Sequence, residues 1–314
     1  MASVKAISRS TPVSERASIA PAEVYGPEGA DIKLRIATGG AGQTGLLRKL
    51  AEEFISWYTR STASSPFRIA WIATDTSLSF NALATGAADL SITYHAYAEK
   101  IALRQGIADR CVYAWRDHFM LVGPDSNPAN LPLDRKLSIF DLFALIFEAA
   151  VETATSPNPV RFLSRYDKSA NNIRESHIWT TIGQTPWAHP YSSFYHRYVD
   201  FPFGALRAAS RLGEYTLVDR GTWYAIEESV RQGMIVFKES IDAAEDDPLI
   251  NPAHALVGTL AENRELADAF VQWLQSDEGG QSIIGSFAVH GTVLHSRAIK
   301  GHEPFSRVQI HTKL

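Results

Sequence analysis

The sequence has 314 residues but only one cysteine and three methionines, and it carries no excess of charge of either sign. Cys111 alone cannot form an internal disulfide, and it supplies no thiolate cluster for zinc or an iron–sulfur centre. Thirty basic against 34 acidic side chains give a formal charge of -4, so no global field draws the chain to nucleic acid or to anionic lipid. An anion must therefore be bound locally. No apolar run approaches the ~20 residues needed to span a bilayer, which argues against membrane insertion. The first 31 residues lack the uninterrupted apolar core of a secretory signal, and Pro12, Glu15 and Pro21 fit a mitochondrial presequence poorly. A disordered N-terminal tail over residues 1–31 and a cytoplasmic protein are expected.

What is present is an α/β pattern. Apolar residues make up 45% of the chain and charged residues 20%, a globular composition. Residues 32–37 alternate as a strand. They lead into a glycine loop and then into Leu46, Leu47, Leu50, Phe54 and Tyr58 at helical spacing. A second strand at 67–73, a helix ending near Gly86 and a third strand at 90–94 complete βαβαβ, the signature of a parallel sheet. Phe119-Met120-Leu121-Val122 begins a different region. Ser138 is placed to cap a helix over 139–152, Ser169 to cap one running through Trp179, and Gly213 to stop one over 205–212. Strands follow at 215–218 and near 251–257, and Leu266, Phe270, Trp273 and Leu274 mark a closing helix.

Gly40, Gly42 and Gly45 satisfy G-x-G-x-x-G between a strand and a helix. The acidic residue that should hold a ribose is missing at the right distance, Asp75 lying farther on, and Leu46 stands where a Walker lysine would. What survives is the physics shared by both motifs, in which close backbone approach and a helix N-terminus favour an anion; a tight turn without a ligand is the plainer alternative. Thr74, Thr76 and Ser77 precede one helix, and residues 164–169 precede another. Arg165 and Arg220 add guanidinium forks that can hold two oxygens of one oxyanion, although Asp219 and Arg220 could equally form a local ion pair.

Four strings occur in the order found in the tungstate-binding periplasmic proteins: residues 119–124 (FMLVGP), 162–169 (FLSRYDKS), 213–222 (GEYTLVDRGT) and 247–252 (DPLINP). Residues 270–274 and Glu278-Gly279 extend the likeness, which covers about residues 33 to 296. The chain thus resembles that family, whose members look like type II periplasmic binding proteins. The resemblance implies two lobes, each a mainly parallel sheet flanked by helices, with a ligand cleft between them. Lobe 1 is expected over 33–117 plus 258–309 and lobe 2 over 118–257, with hinges near His118 and Asn251. Carried over position by position, it implicates Thr38, Gly39 and Gly40, Thr76 and Ser77, Arg165 and Ser169, and Arg220. The chain departs from the family at Gly39-Gly40-Ala41, where Thr and Ser are usual, and at Ser169-Ala170-Asn171-Asn172, where Ser-Gly-Thr-His is usual.

The expected function is therefore binding of a small oxyanion, tungstate-like or molybdate-like, or of a small organic acid, with no catalysis, cofactor or metal. An ABC importer would be a partner only if the protein is exported. The alternative is an enzyme on the same fold that resembles the fungal thiamine-pyrimidine synthases and acts on a heterocyclic or phosphorylated ligand, with His95 or His196 active. His177, His189 and His196 fall near aromatic residues, but no compact metal-ligand spacing links the histidines.

Overall fold

In the computed structural model, residues 18–134, 136–188, 192–240 and 247–300 are described. The first half runs β1 (Glu23–Tyr25), β2 (Ile32–Thr38), a helical turn α1 (Gly40–Gln43), α2 (Leu46–Thr62), β3 (Arg68–Ala73), α3 (Thr76–Ala84), β4 (Leu90–Thr93) and α4 (Ala96–Arg104). β2 pairs parallel with β3 and with β4, as the βαβαβ pattern requires. α2 buries Leu46, Leu47, Leu50, Ala51, Phe54 and Ile55, a continuous apolar face with helical spacing.

The expected tail is corrected at β1. Glu23–Tyr25 pairs antiparallel with β3, and Tyr25 is buried beneath the Arg48 guanidinium. An aromatic side chain on an otherwise unpaired sheet edge gains both burial and backbone hydrogen bonds, which composition alone does not register. Residues 1–17 of that expectation lie outside the described residues.

The centre of the molecule is β5 (Ala108–Pro124), a strand of 17 residues. It is followed by α5 (Ile139–Glu152), β6 (Phe162–Ser164), α6 (Ala170–Thr181), β7 (Tyr195–Arg197), α7 (Pro202–Leu212), β8 (Tyr215–Asp219), α8 (Arg220–Ala225), α9 (Glu228–Arg231), β9 (Met234–Glu239) and β10 (Ile250–Gly258). The chain closes with α10 (Arg264–Gln275), α11 (Gly280–Ser286), the hairpin β11 (Ala288–Val289) and β12 (Thr292–Val293), and β13 (Ser296–Arg297), which returns to β5. The caps fall where the sequence places them. Ser138 and Asp141 form a capping box, Ser169 caps α6, and Gly213 ends α7 in the left-handed conformation at φ 64°.

β5 serves two neighbourhoods. Its residues 108–118 pair with β10, and residues 119–122 pair with β8, so one 11-stranded sheet runs through it, with β11 and β12 forming a separate pair. Ile250 lies opposite His118 and Asn251 opposite Asp117, which puts the two expected hinge positions side by side in one ladder. The cores separate at the same place. One packs residues from 25 to 115 with others from 253 to 284, and the other draws only on 119 to 249. Positions 301–309 of the expected first lobe are outside the described residues. No helix among the described residues is long and apolar enough to cross a membrane.

Candidate functional site

Where the two halves meet, a cleft of about 80 Å³ opens. A water needs roughly 10–15 Å³ by the same measure, so a small polyatomic ion fits and a dinucleotide does not. On one side stand Gly39 and Gly40 after β2, Thr74 and Asp75 before α3, and Thr76 at its start. On the other are Arg165 and the start of α6, Ser169–Asn171. Asp117 and Asn251, from the paired crossing strands, form the floor together with Asp219.

Two helices of useful length point their amino ends here. Asp75 caps α3 by accepting from the Leu78 N–H at 2.7 Å, and the Ser169 hydroxyl caps α6 by accepting from Asn172 N–H at 3.4 Å. Each cap serves the third helical amide, so the earlier amides, among them those of the cleft-lining Thr76, Ala170 and Asn171, have no intrahelical partner. Such amides carry the positive end of the helix dipole toward the cleft. Arg165 is held between Asp167, whose Oδ2 accepts from Nη2 at 2.6 Å, and the Asp200 carbonyl at 3.2 Å. Asp167 in turn accepts from the Ser169 amide and hydroxyl, locking the arginine loop to the start of α6.

Five of the eight residues singled out from sequence line this cleft: Gly39, Gly40, Thr76, Arg165 and Ser169. Thr38 lies beneath it with its hydroxyl buried and unpartnered, its carbonyl accepting from the Trp71 indole at 2.8 Å. The Ser77 hydroxyl turns aside to donate to the Lys168 carbonyl at 3.2 Å, a bond from one side of the cleft to the other. Arg220 is outside the lining and lies 4.0 Å from Glu239. The alternative of a local Asp219–Arg220 ion pair gives way to a cap, because both carboxylate oxygens of Asp219 accept from Thr222.

The glycine loop also has a packing reason. A Cβ on Gly42 would lie 2.1 Å from the Trp71 ring, and one on Gly39 would lie 2.8 Å from the Thr74 carbonyl. Those glycines let the first two loops pack against each other. Sequence reasoning missed Asp117, Asn251, Tyr94 and Phe201. Only the pairing of β5 with β10 brings the first two into the site, and no local motif signals it.

No described histidine is in the cleft lining. His95 caps α4 through Nδ1, with burial pushing its pKa down; the His196 ring bonds Glu214 at 2.8 Å; and His189 lies outside the described residues. Among the described residues no group of three or more His, Cys, Asp or Glu side chains is arranged to hold a metal ion. Glu175, buried behind the arginine loop and bonded by the Tyr195 hydroxyl at 2.7 Å, is pushed up to about 7 by burial, with Tyr195, Ser164 and Asn172 opposing the shift.

Residues 21–278 match the PBP superfamily domain. The chain belongs to that superfamily. A crystal structure described as "a periplasmic putative metal binding protein" is 47% identical, with a TM-score of 0.80 over 88% of this chain and 99% of its own. The tungstate-binding protein TupA of Peptoclostridium acidaminophilum is 26% identical over 80% of this chain and 79% of its own. TupA of Desulfovibrio alaskensis G20, at 23% identity and a TM-score of 0.67 over 86% of this chain and 99% of its own, shares the fold. Two α/β halves joined by β5 and β10 around a cleft make this PBP member structurally a type II periplasmic binding protein.

Proposed function

We propose that the cleft captures a small oxyanion of the tungstate and molybdate class without chemical change. The observation that carries the reading is the convergence of the amino ends of α3 and α6 and the Arg165 guanidinium on one volume of about 80 Å³. The cleft carboxylates do not form a cation site in this reading. Asp75 and Asp219 cap helices, and Asp117 accepts from the His118 amide. Relatives point the same way: one is described as tungstate-binding, and one from Haloferax volcanii as a "Putative ABC transporter anion-binding protein", matched at 26% identity over 72% of this chain and 62% of its own. A metal-binding description of the 47% identical structure is compatible with a ligand that is itself a metal oxyanion. Delivery to an ABC importer would follow only for a protein that is exported. The enzyme reading is weakened because neither His95 nor His196 reaches the cleft lining.

Calorimetric titration with tungstate, molybdate, sulfate and phosphate tests the proposal. Saturable one-site binding of at least one of them, leaving the protein mass unchanged, is expected; no heat with any of the four would overturn it. Cytoplasmic placement, expected from the composition of residues 1–31, is a separate proposal. Fractionation of cells producing the chain with a C-terminal tag checks it, and recovery of the tag outside the cytosol would refute it.

A further inference from the structure

A cleft that holds an anion has an unusual floor, because two carboxyl groups stand on it. The register of β5 with β8 places Phe119 opposite Asp219. Asp117 and Phe119 point to one face of β5, so Asp117 is the diagonal cross-strand neighbour of Asp219, a relation that spans about 7–8 Å between backbones and less between side chains. Both aspartates line the cleft.

Their hydrogen bonds differ. Asp219 accepts through both oxygens, Oδ1 from the Thr222 amide at 2.7 Å and Oδ2 from the Thr222 hydroxyl at 2.6 Å. Asp117 is 7% exposed, and its Oδ1 accepts from the His118 amide at 2.8 Å. The charged and titratable groups around it are Asp219 and Arg220 at the start of α8, Tyr94 after β4, His118 beside it, and His295 before β13. His295 Nδ1 is 3.6 Å from Asp117 Oδ1, and burial drives that imidazole down to about 3, to its neutral form. The His118 ring is occupied by Ser240 at 2.5 Å and Ser296 at 3.0 Å. Arg220 is thus the one permanent cation among these groups; it lies outside the lining, 4.0 Å from Glu239, and reaches Asp117 only through its field. Burial first, and then the charge of Asp219, raise the Asp117 pKa well above the carboxylate range, with the His118 amide and Arg220 opposing.

We propose that Asp117 is a specificity-determining residue of the cleft, a neutral carboxyl whose O–H donates to the bound oxyanion and so favours fully ionised anions over those that must donate a hydrogen themselves. This deepens the oxyanion reading and rests on it. Removing the proton would turn the donor into a second negative charge at the floor, so binding is linked to a proton on Asp117.

The test is the affinity for sulfate and for tungstate, anions that do not themselves titrate there, measured by calorimetry between about pH 6 and 10. Affinity should fall on the alkaline limb by up to about tenfold per pH unit, the slope for one linked proton. In buffers of different ionisation heat, the wild-type protein should take up protons on that limb. Asp117→Asn, whose amide donates but cannot ionise, should lose the limb and bind more tightly than wild type at its alkaline end. Glu175→Gln should keep the limb, which separates Asp117 from the carboxyl behind the arginine loop that burial pushes up to about 7. A flat wild-type profile without proton uptake would overturn the inference while leaving oxyanion binding intact. So would a limb that persists in Asp117→Asn or disappears in Glu175→Gln. Should Asp117→Asn fail to fold, the wild-type slope and proton count still decide. Absence of any anion binding at every pH would overturn both readings together.

Discussion

Arg165→Ala is expected to weaken oxyanion binding by about 2–4 kcal/mol, roughly 30- to 800-fold, because it removes a charge-assisted fork from the cleft. The side chain is 11% exposed and lines the cleft. Its loss also strips Asp167 of its 2.6 Å partner and loosens the loop that Asp167 ties to Ser169, which places the effect toward the upper end. Arg165→Lys should recover only part, since an ammonium restores charge without the planar fork that engages Asp167 and the ligand together. Arg220→Ala should cost less, because Arg220 touches the site only through the field it exerts on Asp117 and its neighbours. Titration of the three variants with tungstate checks the order. Equal losses for the two alanine variants, or none for Arg165→Ala, would contradict this placement of the binding charge.

The largest stability effect is expected at Trp179. The ring is fully buried on α6 and packs against Phe143 at 4.7 Å, Phe162 at 5.3 Å and Phe194 at 5.7 Å between centroids. Truncation to Ala removes those contacts and leaves a void that rigid aromatic neighbours fill poorly, a loss of about 3–5 kcal/mol. Urea unfolding followed by circular dichroism measures it. Trp179→Phe should lose markedly less, because a ring is kept and the cavity is smaller. A Trp179→Ala midpoint close to wild type would mean that the second core does not depend on this ring. The consequence for function is positional. Trp179 anchors the helix whose first turn faces the cleft, so loosening the core loosens the donors.

Much of this architecture could be read locally. The start of α5 at Ile139 follows from Ser138 and Asp141, three residues apart, and the end of α7 from Gly213, because caps are satisfied within one helical turn. The parallel pairing of β2 with β3 and β4 follows from strand–helix alternation. Arg165 and Ser169 were legible because the loop before α6 holds a fork and a cap four residues apart. Other features were not. Residues 108–117 mix polar and apolar side chains and give no clean strand period, yet they form the first part of the strand that joins the halves. Arg220 looks like a binding residue in its string, and the turn of α8 carries it away from the lining.

The sequence by itself determined the alternation of strands and helices, the caps of α5, α6 and α7, the loops that supply amides, and Arg165, all of which depend on residues within a few positions of one another. Only the tertiary structure decided that Asp117, Asn251 and Asp219 share a floor, that Ser77 bonds Lys168 instead of facing the ligand, and that the chain before β2 adds a strand. Those relations join residues far apart in the chain, from about 30 positions to more than 130, through strand register and packing. Such pairings are set by which ladder satisfies the most backbone groups and buries the most apolar surface at once, a property of the whole fold that no local window of residues contains.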